Sequence, residues 1–134
     1  MTYRYNDGGR SEAGFKGESD CGIRAVSIAC DMTYKAARKL LQEHARKGKQ
    51  GNGTISAGIY REDMDAALSS IGWVWVSAPK LTGRKARYHD LPATGIHIAR
   101  MAKHYAAVVH GDLYDAWNSS EKMVYGYWTK LNKR

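Results

Sequence analysis

Apolar positions run in two rhythms along the chain, first helical and then alternating. Between Cys21 and Cys30 the residues Ile23, Ala25, Val26, Ile28 and Ala29 are apolar nearly all round, which predicts a buried helix. Ser19 and Asp20 stand where an N-cap belongs and put Cys21 in the first turn. A second helix is expected from Tyr34 to about Arg46. Thr33 caps it, Ala37, Leu40 and Leu41 form its stripe, and Gly48 stops it. Lys35, Arg38, Lys39 and Glu43 fall on its solvated face. A third helix is expected from about Tyr60 to Ser70, with Glu62 and Asp63 near its positive end and Gly72 after it. The period then shortens to two. Trp73 to Val76 reads as a strand, and Ile96–Arg100, His104–Val109, Leu113–Trp117 and Met123–Trp128 read as four more in a meander.

Helices first and antiparallel strands later is the order of an α+β fold. Residues 1–18, rich in Gly, Asp, Asn and Arg, read as an irregular arm, and residues 19–134 as one domain. Its helical part is about 19–72 and its sheet part about 73–130. Lys47 to Gly58, punctuated by glycines, reads as a flexible rim, and Pro79 to Pro92 as a basic connection.

Composition narrows the function classes. At 134 residues, 43% apolar and 25% charged, the chain is sized for one globular domain with a core and a cleft. Its longest apolar runs, such as Tyr105–Val109, are too short to span a membrane. Met1–Asp7 has no apolar core of a secretory signal, so a cytoplasmic protein is expected. Two cysteines cannot build a disulfide scaffold or a zinc ribbon. His44, His89, His97 and His110 have no partner at ligand spacing, so neither metal nor cofactor is expected. The balance of 21 Lys+Arg over 13 Asp+Glu, net +8, favours an acidic protein or nucleic acid as partner, unless the surface is merely basic.

Candidate chemistry begins with Cys21. Unpaired amides and the dipole at a helix start lower a thiol's pKa, whereas Asp20 and Glu18 oppose a thiolate. An isolated cysteine is more often inert core, and that is the reading for Cys30. A base for Cys21 must lie within hydrogen-bond reach and be oriented by a third group. The segment 103–118 supplies both. With His110-Gly111 as the turn, Val109 faces Asp112, Ala106 faces Asp115 and His104 faces Trp117. His104 and Asp115 are then diagonal neighbours on one face, roughly 7 Å apart. Asn118 has the wrong parity, which selects Asp115.

Asp20-Cys21 with Arg24-Ala25, Gly72-Trp73, His104 with Gly111, Asp115-Ala116-Trp117 and Val124-Tyr125-Gly126-Tyr127-Trp128 together resemble the papain-like cysteine peptidase superfamily. The likeness is nearest to small phage and bacterial proteins of that fold and covers most of the chain from Ser19 to Trp128. It implies a papain-like fold, with Cys21 as nucleophile, His104 as general base and acid, Asp115 as orienter and Trp117 as a shield. It also implies a phage-encoded protein acting in the host cytoplasm. One departure is Phe15, which stands where such enzymes usually place an oxyanion-donating glutamine; Ser19 or Lys16 would have to replace it beside the Cys21 amide. The expected function is thiol-dependent hydrolysis of a peptide, isopeptide or related amide bond in a peptide-like or protein substrate. The alternative is a non-catalytic basic module that binds nucleic acid or an acidic host protein.

Overall fold

The computed structural model describes residues 1–15 and 19–130. Three helices and six strands follow the order β1 (Tyr3–Tyr5), α1 (Cys21–Cys30), α2 (Tyr34–Lys47), α3 (Arg61–Ser69), β2 (Trp73–Ser77), β3 (Ile96–Met101), β4 (His104–Val109), β5 (Asp112–Asp115) and β6 (Val124–Lys130). A single 3-10 turn, Tyr88–Asp90, lies in the basic connection. The architecture is α+β on a mixed sheet of strand order β1-β5-β4-β3-β6-β2, in which β1 runs parallel to β5 and every other pairing is antiparallel.

The helices form where the sequence puts their caps and stripes. The Thr33 hydroxyl accepts from the Ala36 amide at 3.1 Å, and Gly48 ends α2. Ala37, Leu41 and Ala45 are buried at helical spacing and pack with Ile23 and Val26 of α1, Met64 and Leu68 of α3, and Ile98, Ala107 and Trp128 of the sheet. A second cluster on the sheet joins Ala99, Ala106, Val108, Leu113 and Tyr127 to Tyr88 and Leu91. Alternation explains the division, because Ala106 and Val108 point away from Ala107 along one strand.

Two expectations need correction. Residues 1–18 are not wholly an irregular arm, since Tyr3–Tyr5 adds a strand to the outer edge of β5, in register Tyr3↔Leu113 to Tyr5↔Asp115. Asp112 anchors this strand by accepting from the Thr2 amide at 3.0 Å and from Arg4 at 2.8 Å. The four C-terminal strands are also not a simple meander. β3, β4 and β5 are consecutive neighbours, but β6 crosses back to lie between β3 and β2. Val124, Tyr127 and Trp128 make β6 apolar on both faces, which suits an interior strand; four-residue β5 has its free edge taken by β1.

The hairpin that matters most folds in the expected register. Val109 pairs with Asp112, Val108 with Leu113 and Ala107 with Tyr114. His110 and Gly111 both have positive φ, 49° and 85°, as the tight two-residue turn that follows the sheet's twist demands. Pairing stops at Asp115, so Trp117 leaves the strand instead of facing His104 in the ladder. Among the described residues, no helix is long and apolar enough to cross a membrane.

Candidate active site

Cys21 opens α1, and Asp20 holds the N-cap position without capping it. Its carboxylate turns elsewhere, accepting from the Tyr34 hydroxyl at 2.8 Å and pairing with the guanidinium of Arg24 one turn along the helix. Arg10 adds a contact at 3.4 Å. No Asp20 oxygen therefore covers the first-turn amides, which also lack acceptors within the helix. The acid expected to oppose a thiolate is itself neutralised by Arg24. Glu18, named with it, lies outside the described residues.

His104 is the first residue of β4 and Asp115 the last of β5, and both side chains are buried. His104 Nε2 meets Asp115 Oδ2 at 2.5 Å. The same oxygen accepts from the Ser119 hydroxyl at 2.6 Å, and Oδ1 accepts from Arg24 Nη2 at 3.1 Å and from the Ala116 amide at 2.7 Å. A carboxylate only 2% exposed needs such compensation, since an unpaired buried charge is very costly. Arg24 thus spans two buried acids, Asp20 and Asp115. Its Nε has no hydrogen-bond partner among the described residues.

These contacts set the charge states. Burial works against the imidazolium, but the hydrogen bond to Asp115 outweighs it, and a hydrogen bond to the Cys21 thiol adds to the effect. His104 rises from its ordinary 6.5 to about 9. With Nε2 on the carboxylate, Nδ1 is the ring nitrogen left for the thiol. Asp115 moves the other way. Burial opposes its ionisation, yet hydrogen bonds from His104, Ser119 and Arg24 hold its carboxyl below the usual range. At neutral pH His104 is an imidazolium, held between the Asp115 carboxylate and the sulfur of Cys21. At the far end of α1, burial alone pushes the Cys30 thiol up to about 11.

Cys21, His104 and Asp115 therefore come together, and Asp115 rather than Asn118 meets the histidine. Asn118 is exposed and accepts from the Ser120 amide. The Trp117 ring lies 4.7 Å from the His104 ring, tilted at 45°, and covers one side of it while staying 46% exposed. Ser19, with φ 59°, lies on the wall of the same cleft. Phe15 packs on Tyr34, ring centres 5.1 Å apart, beneath the guanidinium of Arg38. It brings no polar donor to the cleft. Lys16, the other candidate donor, lies outside the described residues.

The cleft has a volume of about 820 Å3. The start of α1 forms one wall, the β3–β4 turn and Trp117 another, and Gln50 to Arg61 a rim. Among the described residues, no three His, Cys, Asp or Glu gather so as to hold a metal ion.

Two participants receive no role from motif and register. Arg24 belongs to the Asp20-Cys21…Arg24-Ala25 motif, but its signal there is only that of a charge inside an otherwise apolar helix. Ser119 leaves no signal at all, because only the turn after β5 brings it back to Asp115. Comparison with protein-family models, with curated proteins and with solved structures finds no match for this chain.

Proposed function

We propose that the chain is a thiol-dependent hydrolase on a papain-like arrangement, acting through an acyl-enzyme on a peptide, isopeptide or related amide. The observation that carries the reading is one constellation: Cys21 at a helix start, on the same cleft as a histidine whose Nε2 is held by a buried carboxylate. With the Cys21 proton held on His104 as the imidazolium, the thiolate sulfur attacks the carbonyl carbon. The new C–S bond pushes the carbonyl electron pair onto oxygen. That pair then returns and breaks the C–N bond, while the imidazolium passes its proton to the leaving amine. Water, deprotonated by His104, adds to the thioester; collapse expels the thiolate, releases the acid and restores the thiol. Asp115 keeps the ring oriented throughout and stabilises its charge whenever it is protonated. The Cys21 amide and Ser19 are the nearest candidates to receive the oxyanion, and losing one such donor costs about two to three orders of magnitude in rate.

The test uses an activated thioester of a short acyl peptide at neutral pH. The expected result is an acyl adduct on Cys21 and steady turnover, both absent from Cys21→Ala and retained in Cys30→Ala. Iodoacetamide should label the same thiol. Adducts mainly on Cys30, or unchanged in Cys21→Ala, overturn the reading. The net charge of +8 favours one competitor, a basic module that binds nucleic acid without chemistry. Such binding should weaken steeply between about 50 and 200 mM salt, whereas acylation of Cys21 should hardly change.

A further inference from the structure

The cleft beside Cys21 is lined by Arg10, Arg24, Arg61, Arg100 and Lys103, with no carboxylate among its described residues. Two of these cations serve the buried acids, Arg10 on Asp20 and Arg24 on Asp20 and Asp115. Arg61, Arg100 and Lys103 have no acidic partner within ion-pair distance among the described residues. Neither arginine is loose. The Arg61 guanidinium carbon lies 4.3 Å from the centre of the Trp75 ring, and that of Arg100 lies 4.8 Å from Tyr125. Arg100 pairs across the ladder with Tyr105, beside the Met101–His104 pair, so it sits one step from the histidine. The Tyr105 hydroxyl donates to the Ile59 carbonyl at 3.1 Å, tying the start of β4 to the segment before α3 and Arg61.

Fixed positive charge inside a concave wall attracts anions, and a planar guanidinium matches a carboxylate in two-point contact. We infer that the substrate is an acidic peptide, bound with a side-chain or terminal carboxylate on Arg61, Arg100 and Lys103 while Cys21 attacks a neighbouring carbonyl. This inference rests on the hydrolase reading of the same cleft. A peptide fits better than nucleic acid for two reasons. The cleft, at about 820 Å3, has the volume of a site for a small molecule or short peptide. Trp75 and Tyr125 each have a ring face taken by an arginine, which removes it as a platform for bases.

The experiment compares alkylation of Cys21 by iodoacetate and by iodoacetamide in Cys30→Ala protein, with glutathione as reference thiol. The acetate-to-amide rate ratio should exceed that of glutathione by roughly tenfold, the scale of one or two nearby cations acting in a partly shielded cleft. Arg61→Gln/Arg100→Gln should return the ratio to the glutathione value, and Arg61→Lys/Arg100→Lys should keep most of it. Lys80→Gln/Lys85→Gln, an equal loss of charge on exposed residues of the basic connection, should leave it unchanged. A capped tetrapeptide with two glutamates should protect Cys21 from iodoacetamide better than its glutamine counterpart. A reactive Cys21 with the glutathione ratio overturns the acidic-substrate inference and leaves the hydrolase reading standing. Protection by a single-stranded oligonucleotide and not by the glutamate peptide overturns the choice of peptide. An unreactive Cys21 overturns the hydrolase reading itself.

Discussion

Asp115 and Asp63 are both 2% exposed, yet the protein satisfies them by opposite means. Among the described residues Asp63, on α3, accepts only from backbone, from the Lys49 amide at 2.7 Å and the Gln50 amide at 2.9 Å, and pairs with no cation. It fastens the exit of α2 to α3. Asp115 sits among an arginine, a histidine, a serine and an amide. Amide dipoles are enough to bury a carboxylate whose task is to hold loops in place. A carboxylate that must keep an imidazole charged is given charged partners, and those partners tie it to other buried groups. The cost of disturbing it should therefore spread further.

Arg24→Met is the severest way to break this contrast. It leaves two buried acids without their shared cation, and breaking such a pair from one side costs about 3–5 kcal/mol. Denaturant unfolding should show that loss, and an intact midpoint would mean that Arg24 bears little of the burden.

Asp115→Asn tests the charge rather than the packing. His104 should titrate near 9 in the parent protein and fall back toward 6.5 in the variant, as read by NMR of the ring protons. The sign follows from the raised value. The folded protein holds the proton more tightly than the unfolded chain, so this stabilisation is complete below about 6.5 and lost as pH rises through 9. Stability of Asp115→Asn should lack that alkaline decline, and thiol-dependent turnover by the parent should fall above pH 9 as the leaving amine loses its proton donor. A His104 that titrates near 6.5 in the parent protein would remove the distinction between the two acids.

Gly48→Ala probes the other carboxylate. A methyl group there would stand 2.0 Å from Asp63 Oδ1 and 2.9 Å from the His44 carbonyl, so the backbone cradle must shift. About 1–3 kcal/mol should be lost in thermal unfolding, with the titration of His104 unmoved. Ser119→Ala is the mildest change, removing one of four hydrogen bonds to the Asp115 carboxylate for about 1 kcal/mol. A shift of the His104 titration as large as that from Asp115→Asn would show that Ser119 does more than fill an acceptor.

What was legible in the sequence follows the range of the interaction. Helix α1 begins and ends at Cys21 and Cys30 as its apolar pattern implies, and the His110-Gly111 turn sets the register that joins His104 to Asp115. Both are local, decided by residues a few positions apart. β1 and the crossing of β6 depend on pairings between distant segments, and a three-residue strand such as Tyr3–Tyr5 has too little pattern to announce its partner. The site divides in the same way. Cys21, His104 and Asp115 could be named because each has a type and a place, whereas Ser119 enters only through the path of the loop after β5. Asp20 does hold the N-cap position, but its side chain is engaged elsewhere for a related reason. It looks like a helix cap to a reader of neighbouring residues, but Tyr34 and Arg24 claim its oxygens.

The union of β1 with β5 also has a consequence for how the molecule is made. Tyr3 and its partner Leu113 stand 110 positions apart, so synthesis delivers one well before the other. The Asn6 amide and the Tyr3 hydroxyl both donate to the Asp115 carbonyl, so the beginning of the chain clasps the strand end that presents the acid. Until residues 104–115 have been made, Cys21 stands without His104 and β1 without a strand to join. Such distant closure is slow compared with helix formation. The contacts around Asp115 are therefore complete only once β1, α1 and the β4–β5 hairpin are all present.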